Sequence, residues 1–109
     1  MPIQLSRKRR AIPKAKRYVL RLYTSGSTPR SARAIRNLKR ICEARLSGEY
    51  QLSVIDIYQQ PLLAQKDQIV ATPTLIKEEP LPRRIMIGDF SRDDRVLAGL
   101  SLAPLPAAS

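Results

Sequence analysis

The spacing of apolar residues changes character several times along the chain. Tyr18-Val19-Leu20-Arg21-Leu22-Tyr23 is rich in aromatic and branched residues and predicts a β-strand. Thr24-Ser25-Gly26-Ser27 is the turn after it. Thr28-Pro29 then predicts a helix N-cap followed by proline at the first helical position, where the missing N–H leaves no bond unmade. From there to about Leu46 the period is helical: Ile35, Leu38, Cys42 and Leu46 fall on one face, with Ile41 at its margin. Arg33, Arg36, Lys39, Arg40 and Arg45 occupy the wetter faces. Several of them stand three or four apart, a like-charge strain of roughly a few tenths of a kcal/mol per pair. Gly48 closes the helix. Tyr50 to Ile57 predicts a second strand, with Leu52, Val54 and Ile55 apolar and Asp56 near its end. Strand, helix and strand in succession make a right-handed parallel βαβ unit over 18–57. Its expected core is Leu20, Leu22, Ile35, Leu38, Leu52 and Val54.

The second half is less regular. Pro61-Leu62-Leu63-Ala64-Gln65-Lys66 reads as a short helix, and Ile69-Val70 either extends it or begins a strand. Thr74-Leu75-Ile76 reads as extended, Pro80-Leu81-Pro82 as a break, and Arg84 to Ile87 as a strand ending at Gly88-Asp89. Ser91-Arg92-Asp93-Asp94 has the form of a capping box before a short amphipathic helix carrying Val96, Leu97 and Leu100. The resulting order, βαβαββα, is that of a thioredoxin-type domain. Short apolar runs alone do not separate helix from strand in this half.

With 109 residues the chain is a single small domain. Such a domain buries only about 60–65% of its unfolded surface, which leaves self-association a ready source of stability. Charge divides the chain unevenly. Fourteen of the twenty Lys and Arg residues lie in the first 45 positions, against the single acid Glu43, while residues 46–109 carry six basic and eight acidic groups. Much of the excess sits in Arg7-Lys8-Arg9-Arg10 through Lys14-Lys16-Arg17, so residues 1–16 are expected to be a flexible basic arm, 17–102 the folded domain and 103–109 a frayed tail. An acidic protein face or a polyanion is the partner such charge favours. No apolar run approaches a membrane span, and none follows the basic N-terminus as a secretory signal requires, so the expected compartment is the cytoplasm.

Familiar chemistry is missing. A redox thioredoxin needs two thiols at the first strand-to-helix turn, which here reads Ser25-Gly26-Ser27-Thr28. The one cysteine, Cys42, lies mid-helix on the apolar side and is expected to be a packing residue. There is no histidine, which excludes Cys-His zinc sites and leaves Asp56, Asp67 and Asp89 as scattered carboxylates without a base partner. Asp56 is expected to cap or to be solvated. Ser25-Gly26-Ser27 is too short to be a phosphate loop. No enzyme, no metal and no cofactor is the expectation. Thr72-Pro73-Thr74 suits a tight turn, cis or trans, and with Pro80 and Pro82 close by this stretch is suited to more than one conformation.

The run Tyr18-Val-Leu-Arg-Leu-Tyr-Thr-Ser-Gly-Ser-Thr-Pro29 with Ser31 and Arg33, then Val54-Ile-Asp56, Pro61, Leu63-Ala64, Asp67, Ala71-Thr-Pro-Thr-Leu75, Ile87-Gly-Asp89, Val96-Leu97 and Gly99-Leu100, resembles the KaiB family of small cyanobacterial clock proteins. The likeness spans about residues 17–102 without gaps. It implies an α/β domain of the thioredoxin-like superfamily that is metamorphic: a tetrameric ground state, a dimer of dimers, ordered βαββααβ, and a monomeric thioredoxin-like state ordered βαβαββα. It implies no catalysis. The implied partner is the N-terminal ring of the KaiC hexameric ATPase/kinase, with possible competition from a clock-output kinase, in a circadian or stress-timing system.

Residue by residue, the resemblance implies Arg33 and Lys77 as partner-binding residues. It implies Pro73, Pro80, Leu81, Pro82, Gly99 and Ser101 as turn or switch positions. Gln51, Ser53 and Gln68 depart from the basic or small contact residues of clock-type members, Ser101 replaces an acid, and the proline triplet is reduced to Pro80-Leu81-Pro82. The acidic tail of the family is replaced by a basic arm at the other end, the pattern of a divergent member. For the isolated protein the ground-state order is expected, with Ile85 to Asp89 helical, although the Ser91–Asp94 box favours the other state. A nucleic-acid-binding module is the alternative function; Arg7–Arg10 and the basic helix favour it, but the chain has one phenylalanine, no tryptophan and no recognised binding motif.

Overall fold

A computed structural model describes residues 18–102. The basic arm expected at 1–16 and the tail expected at 103–109 lie outside the described residues. The chain runs β1 (Tyr18–Thr24), α1 (Pro29–Arg45), β2 (Tyr50–Asp56), α2 (Pro61–Lys66), β3 (Thr74–Glu79), β4 (Arg84–Ile87) and α3 (Asp93–Gly99). The strands form one sheet in the order β2-β1-β3-β4. β1 and β2 pair in parallel, Leu20 opposite Leu52, whereas β3 runs antiparallel to both β1 and β4.

The first half follows the sequence closely. Thr28 caps α1, its hydroxyl accepting from the Ser31 N–H at 3.2 Å, and Pro29 stands in the first turn. Gly48, at φ +74°, supplies the left-handed turn into β2 that a side chain would resist. Leu20, Leu22, Ala34, Leu38, Cys42, Leu75, Val96, Leu97 and Leu100 form the main core, between one sheet face and the helices α1 and α3. A second cluster, Tyr23, Ile55, Ala64 and Ile76, lies on the opposite face under α2. Ile35 and Leu52 are only partly buried. Val54, expected in the core, is 43% exposed because β2 is an outermost strand of the sheet formed by the described residues.

The second half takes the thioredoxin-like order, not the ground-state order expected for the isolated chain. Arg84–Ile87 is a strand, Ile85 opposite Ile76 and Met86 opposite Leu75. Branched Ile85 and Ile87 suit a pleated edge, and Met86 between them packs against the main core. Gly88, at φ +141°, ends the strand, its N–H bonding the Pro73 carbonyl at 3.1 Å. The predicted capping box does not form. Asp89 accepts the Ser91 N–H at 3.2 Å, the helix starts one residue late with Arg92 at the cap position, and the Arg92 side chain makes no capping bond. Asp93 and Asp94 in the first turn instead favour the positive end of the helix dipole. Among the described residues no helix is long and apolar enough to cross a membrane.

Candidate functional site

Two places gather the polar side chains of this domain. The first lies where α1 meets the β4–α3 connection. Arg33, half exposed on α1, pairs with Asp89 at 3.3 Å, while the Asn37 amide donates to the Asp89 carbonyl at 2.9 Å. Hydrogen bonds from Ser91 and then Arg33 hold the Asp89 carboxyl below the usual carboxylate range. Two turns beyond Arg33 on α1, Arg40 grips Asp93 with two nitrogens, at 3.1 and 2.9 Å, and lowers its pKa in turn. The basic face of α1 is thus partly committed to acids of the chain's last third.

The second place is the α2 face beyond Tyr23. Asp67, just after α2, sits between Arg21 at 3.1 Å and Arg83 at 3.7 Å and accepts the Tyr23 hydroxyl at 2.5 Å. Glu78 bonds both arginines from the other side. Burial, then the bond to Asp67, pushes the Tyr23 phenol up to about 12.

The sequence-predicted site residues are dispersed. Lys77 lies on β3 facing the main core and is fully buried; among the described residues its ammonium reaches only Ser101 Oγ, at 3.5 Å. Burial, with Arg84 opposite on β4, lowers its pKa from the usual lysine value. In this arrangement it offers no surface to a partner and does not meet the solvent. Gly99 and Ser101 meet Lys77's end of the fold, at the close of α3, Ser101 at φ +62°. Gly99 faces Met86 so closely that a Cβ there would stand 2.0 Å from the Met86 sulfur. Pro73 is buried at the start of β3, its peptide bond cis; Pro80 and Pro82, also cis, flank Leu81, 80% exposed, in the β3–β4 connection. Gln51 and Ser53 are exposed on the edge strand, and Gln68 is exposed after α2.

Asp56 has the capping role expected of it: one carboxylate oxygen accepts from the Gly26 N–H at 3.2 Å and the Tyr58 N–H at 2.9 Å. That bond ties the β1–α1 turn to the β2–α2 turn. Ser25 and Thr72 hydroxyls bond each other across the first turn and the Pro73 loop. Cys42 is buried in α1, and burial pushes its thiol up to about 12, so at neutral pH it is a protonated packing group and not a thiolate. Sequence reasoning missed the Arg21–Asp67–Arg83–Glu78 cluster. Its signal was Arg21 inside an otherwise apolar strand, which needs an acid partner once the sheet forms.

A four-stranded mixed sheet in the order β2-β1-β3-β4 with helices on both faces defines a thioredoxin-like domain. Thioredoxin Deadhead of Drosophila melanogaster shares the fold at 10% identity, with a TM-score of 0.64 over 79% of this chain and 80% of its own. The N-terminal domain of Synechococcus elongatus SasA gives the same TM-score at 26% identity, over 92% of this chain and 94% of that domain. Within this class the chain belongs to the KaiB family, whose KaiB domain model matches residues 21–102. Relatives called circadian clock oscillator protein KaiB are 52% identical in Synechococcus elongatus and 53% identical in Acaryochloris marina, each over 87 residues. These alignments cover 80% of this chain and 85% and 84% of the two relatives.

Proposed function

We propose that this protein is a non-catalytic regulator in a circadian-clock-type system that acts by binding a KaiC-type hexameric ATPase/kinase. The observation that carries this reading is the 52–53% identity to clock oscillator proteins across nearly the whole described domain. The thioredoxin-like arrangement is the binding form in this proposal. Its likeness to the SasA N-terminal domain supports a shared docking surface, and hence competition between the two. Arg33, displayed on α1, is a direct contact. Lys77, sealed under the end of α3, acts on the arrangement that builds the surface. The other form is the βαββααβ tetramer, reached by rearranging the half that contains Pro73, Pro80, Pro82, Gly99 and Ser101, and the compartment is the cytoplasm. The nucleic-acid alternative draws no support from any relative, and α1 spends Arg33 and Arg40 on Asp89 and Asp93.

Size-exclusion chromatography of the full chain with the KaiC homologues of its own genome, with and without ATP and after hours of incubation, tests the proposal. A co-eluting complex weakened by Arg33→Glu is the expected result. No complex with any of them, while the domain is folded, would overturn it.

A further inference from the structure

A cavity of about 350 Å³ opens beside the start of α3, between the N-terminal turn of α1 and β4. Its rim carries three arginines, Arg30 of α1 with Arg92 and Arg95, all exposed. Arg30 and Arg95 have no ion-pair partner among the described residues, and Arg92 holds only Asp94, in a pair that is 64% exposed on both sides. One acid lines the cavity, Asp89, and it is already neutralised by Arg33 and by the Ser91 N–H. The walls between the charges are apolar: Phe90 and Val96 are buried, while Ile87 remains 57% exposed. A half-wetted isoleucine under uncompensated guanidinium groups is an incomplete surface. It gains both from apolar contact and from a carboxylate that the planar guanidinium fork can bind with two parallel bonds.

We propose that this cavity receives an acidic segment of a protein partner, a carboxylate side chain seated between Arg30 and Arg95 and an apolar neighbour on Ile87. The inference rests on the reading of the protein as a protein-binding regulator, and adds the place and the chemistry of contact. A protein segment fits better than nucleic acid. Single strands bind on open aromatic faces, and the aromatic ring here, Phe90, is 7% exposed. A phosphate backbone would meet the arginines but leave Ile87 wet.

The test is NMR titration of the full chain at physiological salt with a short peptide of alternating Asp and Leu. A peptide of alternating Asp and Ser and a short duplex DNA are titrated in parallel. The Asp-Leu peptide is expected to shift Gly88, Asp89 and Ser91 amides and Ile87 and Val96 methyls, and to bind more tightly than the Asp-Ser peptide. Arg30→Gln and Arg95→Glu are each expected to weaken it about tenfold, as loss of a charge-assisted pair does. Arg36→Glu, on the same helix outside the cavity, is expected to do much less, and unshifted spectra elsewhere show that the variants fold. Equal loss with Arg36→Glu, equal binding of the two peptides, no shifts at the cavity, or tighter cavity binding by DNA would each overturn the proposal. The ATPase experiment separates the two readings. A KaiC-type complex indifferent to Arg30→Gln and Arg95→Glu removes this cavity and leaves the regulator standing. Peptide binding at the cavity without any KaiC-type complex does the reverse.

Discussion

Lys77 on β3 reaches Ser101 at the end of α3 across 3.5 Å, and this long bond is the hydrogen bond the structure gives a fully buried ammonium. Exchanging water for one weak acceptor leaves the charge poorly compensated. Lys77→Met is therefore expected to stabilise the folded domain, by about 1–2 kcal/mol, in urea unfolding at neutral pH. Because the native pKa of Lys77 lies below its unfolded value, the folded state binds fewer protons, and its penalty is full below the native pKa and gone above the unfolded one. The advantage of Lys77→Met should shrink as pH rises toward about 10.4. A variant less stable than the parent at neutral pH would show that the ammonium is better satisfied than its contacts imply.

Tyr23 runs the other way. Its phenol is held up to about 12, first by burial and then by Asp67, against about 10 in the unfolded chain. Its contribution is whole below pH about 10 and is lost as pH climbs through 12. Tyr23→Phe should cost about 1–2 kcal/mol at neutral pH, the loss of one bond to a carboxylate, and should weaken the alkaline fall in stability. Chemical denaturation across pH 7 to about 11.5 reads both effects.

Gly99→Ala places a methyl group where the Met86 sulfur now lies. Thioethers yield, so the expected cost is at the low end for overpacking, about 1 kcal/mol. Met86→Ala in the same chain should remove most of that cost, giving a favourable coupling in a double-mutant cycle. Additive losses would mean that α3 moves as a body and Met86 does not bear the strain.

Cys42 should resist thiol reagents. With a buried thiol at about 12, native protein at neutral pH is expected to react with a disulfide reagent only as fast as it opens, and denatured protein at the rate of an ordinary cysteine. Rapid native labelling would contradict the packing of α1.

The βαβ half was legible because its signals agree: Thr28-Pro29 caps, the three-and-four spacing of Leu38 and Cys42, and the branched run at Tyr18–Tyr23 all name the same elements. The second half was not settled by local signals. Arg84 to Ile87 read locally as a strand and pair with β3 as one; the helix expected at Ile85 to Asp89 came from the resemblance and not from those residues. The Ser91 box failed because Asp89 offers a competing acceptor two residues back. Arg33 was legible as an exposed cation, but the burial of Lys77 was not, because a lysine in a short strand carries no mark of what will close over it. The arginine-rimmed cavity joins residues from α1 and from the β4–α3 turn, and only the folded chain brings them together.

The uneven charge of the chain acquires a mechanical meaning once the ion pairs are traced. In Arg21–Asp67, Arg21–Glu78, Arg33–Asp89 and Arg40–Asp93 the cation comes from the first 45 residues and the anion from later ones. The front of the sequence therefore attracts the back like opposite poles, across a seam that the parallel strand pair does not cross. Each clasp is weak on its own and sensitive to ions in the medium. Together they add a salt-sensitive part to a join that the β1–β3 pair and the shared core already make, so that dissolved salt acts as a dial on how firmly the later elements are held against the first half.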